Sequence, residues 1–224
     1  MLAGRVSVPR PPRRTRAMPW RAVGFASLDF ETTGLDYEHD TIVSFGIVPI
    51  RRGRIVLADA VHQLVDPHVP PSPRSQTIHE LRPQDLAGSP RLAEARVRLA
   101  RALARRYLLA WFAEVEIHFL STIFGTRDAV WRRRTIDVRD LAIAADGAPP
   151  GTRAQPGYGL SWAAERLGVP VANPHDALDD ALVTAQAFLV LAGRLPDLAE
   201  PTAADLLWLG GGRHRVERRF KHAV

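Results

Sequence analysis

The stretch Ser27-Leu-Asp-Phe-Glu-Thr-Thr-Gly-Leu-Asp36 sets two carboxylates, Asp29 and Glu31, two residues apart at the end of an apolar run, VGFASL. Alternate residues of a strand project to one side. Asp29 and Glu31 therefore share a face, while Leu28 and Phe30 turn to the opposite layer. Two anions side by side repel each other unless a cation sits between them. Carboxylate oxygens suit a hard divalent ion such as Mg²⁺ or Mn²⁺. Thr32-Thr33-Gly34 then lets the backbone turn and come close to a ligand, because glycine lacks a Cβ. A strand that simply ends in a polar turn would read the same way, so this motif does not decide by itself.

Two further acids stand out. In Pro174-His-Asp-Ala-Leu-Asp-Asp-Ala181, Asp176 or a neighbour can cap the helix that follows. Asp180 falls on the face of Ala177, Thr184 and Ala187, where an acid is costly unless paired. His175 is either an idle loop residue or a base held beside a metal site, since imidazole titrates near neutral pH. Glu116 lies on a stripe with Phe112, Phe119, Leu120 and Ile123, and a buried Glu without a partner is rare. Glu114 points elsewhere and reads as solvated, and His118 reads as a surface or core-edge residue.

The elements that must carry these groups follow from periodicity. AVGFASLDF (22–30), TIVSFGIVPI (41–50) and RIVLADAVHQLV (54–65) read as strands, the last two joined by Arg51-Arg52-Gly53. The Pro-rich 66–76 reads as a loop. Helices are expected over 92–106, 113–124, 160–168 and 176–195, a strand over 107–112, and a short strand plus helix over 134–145. The order implies an α/β mixed sheet, antiparallel first and then parallel, flanked by helices. The expected division is a basic tail over 1–20 without fixed structure, a body over 21–195 and an extension over 196–224. Met18 is a plausible alternative start.

Of the 224 residues 46% are hydrophobic, enough for a core, and none is cysteine. That excludes disulfides, thiolate metal sites and cysteine nucleophiles, and fits a reducing compartment, the cytoplasm. No run approaches the roughly 20 apolar residues of a membrane span. The net charge of +6 sits at the ends: residues 1–21 hold six Arg and no acid, and 211–224 hold five basic residues against Glu217, leaving the body at −4.

Taken together, LDFETTGLD (28–36) and HDALDD (175–180), the latter followed by A-x-x-T-A-x-x-F-L, resemble the DEDDh family of 3′–5′ exonucleases, which includes epsilon-type proofreading subunits and RNase T. Weaker echoes lie in TIHELRPQDLAGSP (77–90) and TIDVRDLA (135–142). Relatives usually carry A-H-N-A-x-F-D-x-x-F-L where this chain has AWFAEVEIHFL (110–120), so Trp111 and Phe112 replace His-Asn and Glu116 replaces Asp.

The resemblance implies a ribonuclease H-like fold and hydrolysis of phosphodiesters at the 3′ end of single-stranded DNA or RNA, DNA favoured. It implies two divalent ions, Mg²⁺ or Mn²⁺. Asp29, Glu31 and Asp180 would hold one, Asp29 and Glu116 the other, and His175 would take the proton from water. Thr32, Gly34 and Leu35 would contact substrate, with Phe30 in the core. A DNA polymerase subunit is the implied protein partner, with the basic tail 211–224 as its docking segment. The altered second motif leaves an alternative: a weakly catalytic or inactive binding module on the same fold.

Overall fold

The computed structural model describes residues 13–147, 158–195 and 200–211. Strand β1 (Phe25–Thr32) pairs antiparallel with β2 (Ile42–Arg51), from Phe25 opposite Ile50 to Thr32 opposite Ile42. Both strands are covered on both faces, which is why their apolar runs are nearly continuous rather than alternating. The strand expected over 54–65 is divided into β3 (Arg54–Ile55) and β4 (Val61–Leu64). Both pair with β2: Ile55 stands opposite Ile50 and Val61 opposite Ile47, so the chain between them is longer than its partner. The surplus leaves the sheet as the 3-10 turn Leu57–Asp59, where Asp59 meets Arg51 at 2.6 Å.

The segment read as a loop over 66–76 instead starts helix α1 (Pro73–His79), with Ser72 as its cap and Pro73 in the first turn. Helices α2 (Pro83–Leu86) and α3 (Leu92–Leu103) follow. Next come β5 (Tyr107–Ala110), α4 (Glu114–Phe124), α5 (Asp128–Arg132), β6 (Thr135–Asp137) and α6 (Val138–Ala145). The sequence pattern did not signal the short helix α5. After residues 148–157, which lie outside the description, come α7 (Leu160–Leu167), ended by Gly168, and α8 (Ala177–Ala192). A last helix, α9 (Ala203–Leu209), was not expected from the pattern.

The six-stranded sheet runs β3-β2-β1-β5-β6, with β4 also on β2. β5 and β6 are parallel to β1, as expected for a ribonuclease H-like mixed sheet. One face packs Ala26, Leu28 and Phe30 against Leu99, Leu103, Phe119 and Leu120 of α3 and α4. The other packs Phe25, Val48 and Ile50 against Ala181, Ala185 and Phe188 of α8. Each large apolar side chain fully buried here contributes about 1.5–3 kcal/mol.

Packing reaches beyond 21–195 on both sides. Trp20 is buried, edge-on to Phe188 at 5.6 Å, and its backbone N–H donates to Pro201 O at 3.0 Å. Ala203 N–H donates to Met18 O at 3.1 Å, and Leu206 of α9 joins the same core. Residues 1–12 and 212–224, most of the two basic ends, lie outside the described residues.

Candidate active site

Strand β1 presents Asp29 and Glu31 on the face that α8 covers. Asp29 stands opposite Gly46 of β2. A Cβ on Gly46 would overlap the Ala177 carbonyl and the Leu178 nitrogen, so glycine is what lets the first turn of α8 lie directly on the sheet. Asp176 caps that turn, accepting from Leu178 N–H at 2.9 Å and Asp179 N–H at 3.0 Å. Asp180, one turn on, then faces β1. One oxygen each from Asp29, Glu31 and Asp180 lies within 4.8 Å of the others. Gly46→Ala is expected to lower stability by about 1–3 kcal/mol. It should also weaken Mn²⁺ binding about 10-fold or more. Thermal melting and calorimetric titration check both, and unchanged Mn²⁺ affinity would show that the close approach of α8 is not what sets the site.

Glu116 arrives from the other face of the fold. After β5 the chain turns at Phe112, whose φ of +61° is unusual for a bulky residue. The Phe112 and Ala113 N–H groups donate to Asp137 Oδ1 at 3.2 Å and Oδ2 at 3.1 Å. Helix α4 follows and buries Glu116, only 4% exposed, with its Oε2 lacking a hydrogen-bond partner among the described residues. An isolated carboxylate is expensive in such a place. Glu116 is not within the 4.8 Å trio, yet of the neighbouring charges on Asp29 its effect is the largest.

The acids hold protons abnormally well. Burial, then repulsion by Glu116, Glu31 and Asp180, raises Asp29 well above the usual carboxylate range. Burial, then Asp180 and Asp176, pushes Glu31 up to about 8. Burial also raises Glu116, with Asp137 and Glu31 adding to it, although the amides of Glu116 and Phe30 pull the other way. Asp180 is raised by burial against the opposing pull of His175. A mutually repelling oxygen set with one orphaned oxygen fits a hard divalent cation.

The family model described as Exonuclease (RNase_T) matches residues 27–188. The chain belongs to the exonuclease family. A DNA polymerase III PolC-type protein of Thermotoga petrophila is 35% identical over 166 residues, covering 74% of this chain and 12% of that protein. A 3′-5′ exonuclease DinG of Staphylococcus aureus is 23% identical over 189 residues, 83% of this chain and 20% of that one. The chain thus spans a minor part of the length of these curated relatives. Escherichia coli exonuclease I, solved with single-stranded DNA and zinc, superposes with a TM-score of 0.66 at 18% identity over 79% of this chain and 42% of that one.

In this member of the exonuclease family, then, the first and third motifs meet as trio and cap. His175 follows the same logic from an exposed turn with φ +66°, its N–H donating to Asp180 Oδ2 at 3.1 Å. It lines a cleft of about 410 Å³ with Glu31, His62, Ile78 and His79. Leu35 is 70% exposed and does not line that cleft. Thr32 is buried, and its carbonyl faces His79 Nε2 at 3.2 Å. Gly34 leaves room for the Asp40 carboxylate, which accepts from Thr33 Oγ1 at 2.6 Å and from Asp36 N–H at 2.8 Å.

Glu114 is a correction. It is half-buried and forked onto Arg132 by two bonds of 2.7 Å, because α5 swings that guanidinium back onto α4. His118 is half-buried, stacked on Tyr37 at 4.0 Å, at the edge of the core as expected. Sequence reasoning gave Asp137 and His79 no role. An Asp directly before a helical pattern is a cap signal that could have found the first. His79 Nδ1 accepts from Leu81 N–H at 3.1 Å, a local loop contact without sequence signature.

Proposed function

We propose that the chain is a divalent-metal-dependent 3′–5′ exonuclease that removes nucleoside 5′-monophosphates from the 3′ end of single-stranded nucleic acid, DNA in preference to RNA. The observation that carries this is the convergence of Asp29, Glu31 and Asp180 oxygens within 4.8 Å, in a chain of this family, with the buried Glu116 close enough for its charge to act on Asp29. Asp29, Glu31 and Asp180 would hold one divalent ion, and Glu116 with Asp29 a second, Mg²⁺ or Mn²⁺. Bound ions of this kind supply Lewis-acid stabilisation of the attacked phosphate and of the leaving oxygen.

The chain's own groups do the rest. The cleft holds the terminal nucleotide against Ile78 and Leu81, and Thr32, Gly34 and Leu35, on the chain that follows Glu31, would meet the strand outside it. His175 takes a proton from the water that attacks phosphorus. The phosphorus–O3′ bond breaks, the shortened strand keeps a 3′-hydroxyl, and the oxygen is reprotonated from solvent. The Glu116-for-Asp change keeps the oxygen chemistry one methylene further out. The DNA polymerase III PolC-type relative supports work beside a polymerase, and the DinG relative supports 3′-5′ exonuclease activity; the absence of cysteine fits the cytoplasm as the compartment. The body carries a net charge of −4, so the ions and the Arg-rich ends draw in the phosphates, and binding weakens with salt.

The test uses 5′-labelled single-stranded DNA and RNA of one sequence with Mg²⁺ or Mn²⁺. The labelled DNA is expected to shorten stepwise with release of 5′-monophosphates, faster than the RNA. No shortening at any metal concentration, with wild type matching Asp29→Ala, sinks the reading and leaves a binding module.

A further inference from the structure

We infer that Asp137, held from behind by the C-terminal segment 200–211, is the residue that positions Glu116. The inference rests on the proposed exonuclease reading and adds to it a part outside the four acids. Asp137 ends β6, next to Ala110, the last residue of β5. One of its carboxylate oxygens accepts from Arg139 N–H at 3.0 Å, which caps α6. That task needs no more than a short polar side chain.

The rest of what Asp137 does is long-range. Its two oxygens accept from the consecutive amides of Phe112 and Ala113, more than 20 residues away in sequence. Those amides belong to the turn that points α4 into the fold, and Glu116 is in the first turn of α4. Phe112 sits there at φ +61°, where the bulky residue gains nothing locally, so something outside must hold it. Charge-assisted bonds from two successive amides to one carboxylate do that. Asp137 also stands close enough to Glu116 for its charge to raise that acid's proton affinity. Glu116 is thereby kept next to both an anchor and a repelling charge, and a cation relieves that repulsion.

Asp137 is in turn held by the chain's far end. Its backbone N–H donates to Gly210 O at 2.8 Å. β6 is the edge of the sheet, and this bond covers it. The approach is tight: a Cβ on Gly210 would come 2.5 Å from Ile136 Cγ2 and 3.0 Å from Asp137 O. Ala203, Leu206 and Leu207 of α9 are buried in the core, and Thr202 bridges to Pro19. The segment after the family-matched region therefore closes on the strand that carries the anchor.

Two variants separate positioning from capping. Asp137→Ser keeps a cap for α6 but cannot reach the Phe112 and Ala113 amides. Gly210→Ala leaves every acid in place and pushes the segment off β6. Both are expected to melt as single transitions, and to lose about 10- to 100-fold in the weaker of the Mn²⁺ affinities and in kcat, with KM for the oligonucleotide unchanged. Asp137→Glu, which keeps the carboxylate, should recover part of the loss. Folded variants with wild-type Mn²⁺ titrations and kcat overturn the inference while leaving the exonuclease reading intact. A wild type that neither binds Mn²⁺ nor cleaves removes both. Should the variants not fold, hydrogen exchange in the wild type decides: slow exchange at Phe112 and Ala113 supports the anchor, and solvent-like exchange there overturns it.

Discussion

Asp29→Ala is expected to lower metal-dependent cleavage by about 10³-fold or more, the loss of several kcal/mol of transition-state stabilisation. It should also make the metal-free protein more stable, by about 0.5–2 kcal/mol near neutral pH. Both effects come from the same facts. Asp29 feels the charge of the other acids of the site, and burial plus repulsion by Glu116, Glu31, Asp180 and Asp176 disfavour its charged form. The fold accepts that penalty without a compensating basic partner among the described residues, which is the mark of a group kept for an ion. A purely structural acid would behave oppositely, since removing it would strand its donors and lower stability. The check is a melting curve in chelator alongside the cleavage assay. A variant that is inactive and also less stable than wild type would reassign Asp29 to the fold.

Much of this was legible in the sequence because it depends on local spacing. Asp29 and Glu31 share a face by the two-residue period of a strand, and Asp176 and Asp180 by the first turn of a helix. The hydrophobic stripe of α4 marked Glu116 as inward-facing before any coordinates. The unreadable parts are those fixed by contacts distant in sequence. Nothing local says that Gly46 must be bare so that Ala177 can lie on it, or that Gly210 closes on Asp137. The division of 54–65 follows from pairing counts against β2, which an apolar run alone does not encode. Glu114 was misjudged for the same reason, since its partner Arg132 belongs to a short helix with no strong period. The family resemblance supplied the assembly of the three motifs, and the structure supplied the anchor of the one that departs from the pattern.

The second large effect is on stability against pH, and its sign is set by the raised acids. Glu31 titrates near 4.5 when unconstrained and at about 8 in the folded, metal-free protein. Below 4.5 both states hold the proton, and the fold carries no penalty from this group. Between 4.5 and 8 the unfolded chain has released the proton and the folded chain has not, so stability falls as pH rises through that window. At about 1.4 kcal/mol per unit, the loss from Glu31 is on the order of a few kcal/mol by pH 8. Asp29, Glu116 and Asp180 act in the same direction.

The surface acids Asp36 and Asp85 are lowered by their hydrogen bonds and act oppositely, losing their contribution only on acidification, but they are exposed and weak. A divalent ion inverts the main trend, because its ligands must be deprotonated and its binding releases protons. In chelator, the melting temperature should therefore drop between pH 5 and pH 8. With saturating Mn²⁺ it should hold or rise, so the gap between the two curves widens with pH. Glu31→Gln should flatten the chelator curve. A chelator curve that is level or climbing across this window would mean that the acids are not buried together as charges, and the cation site would go with them.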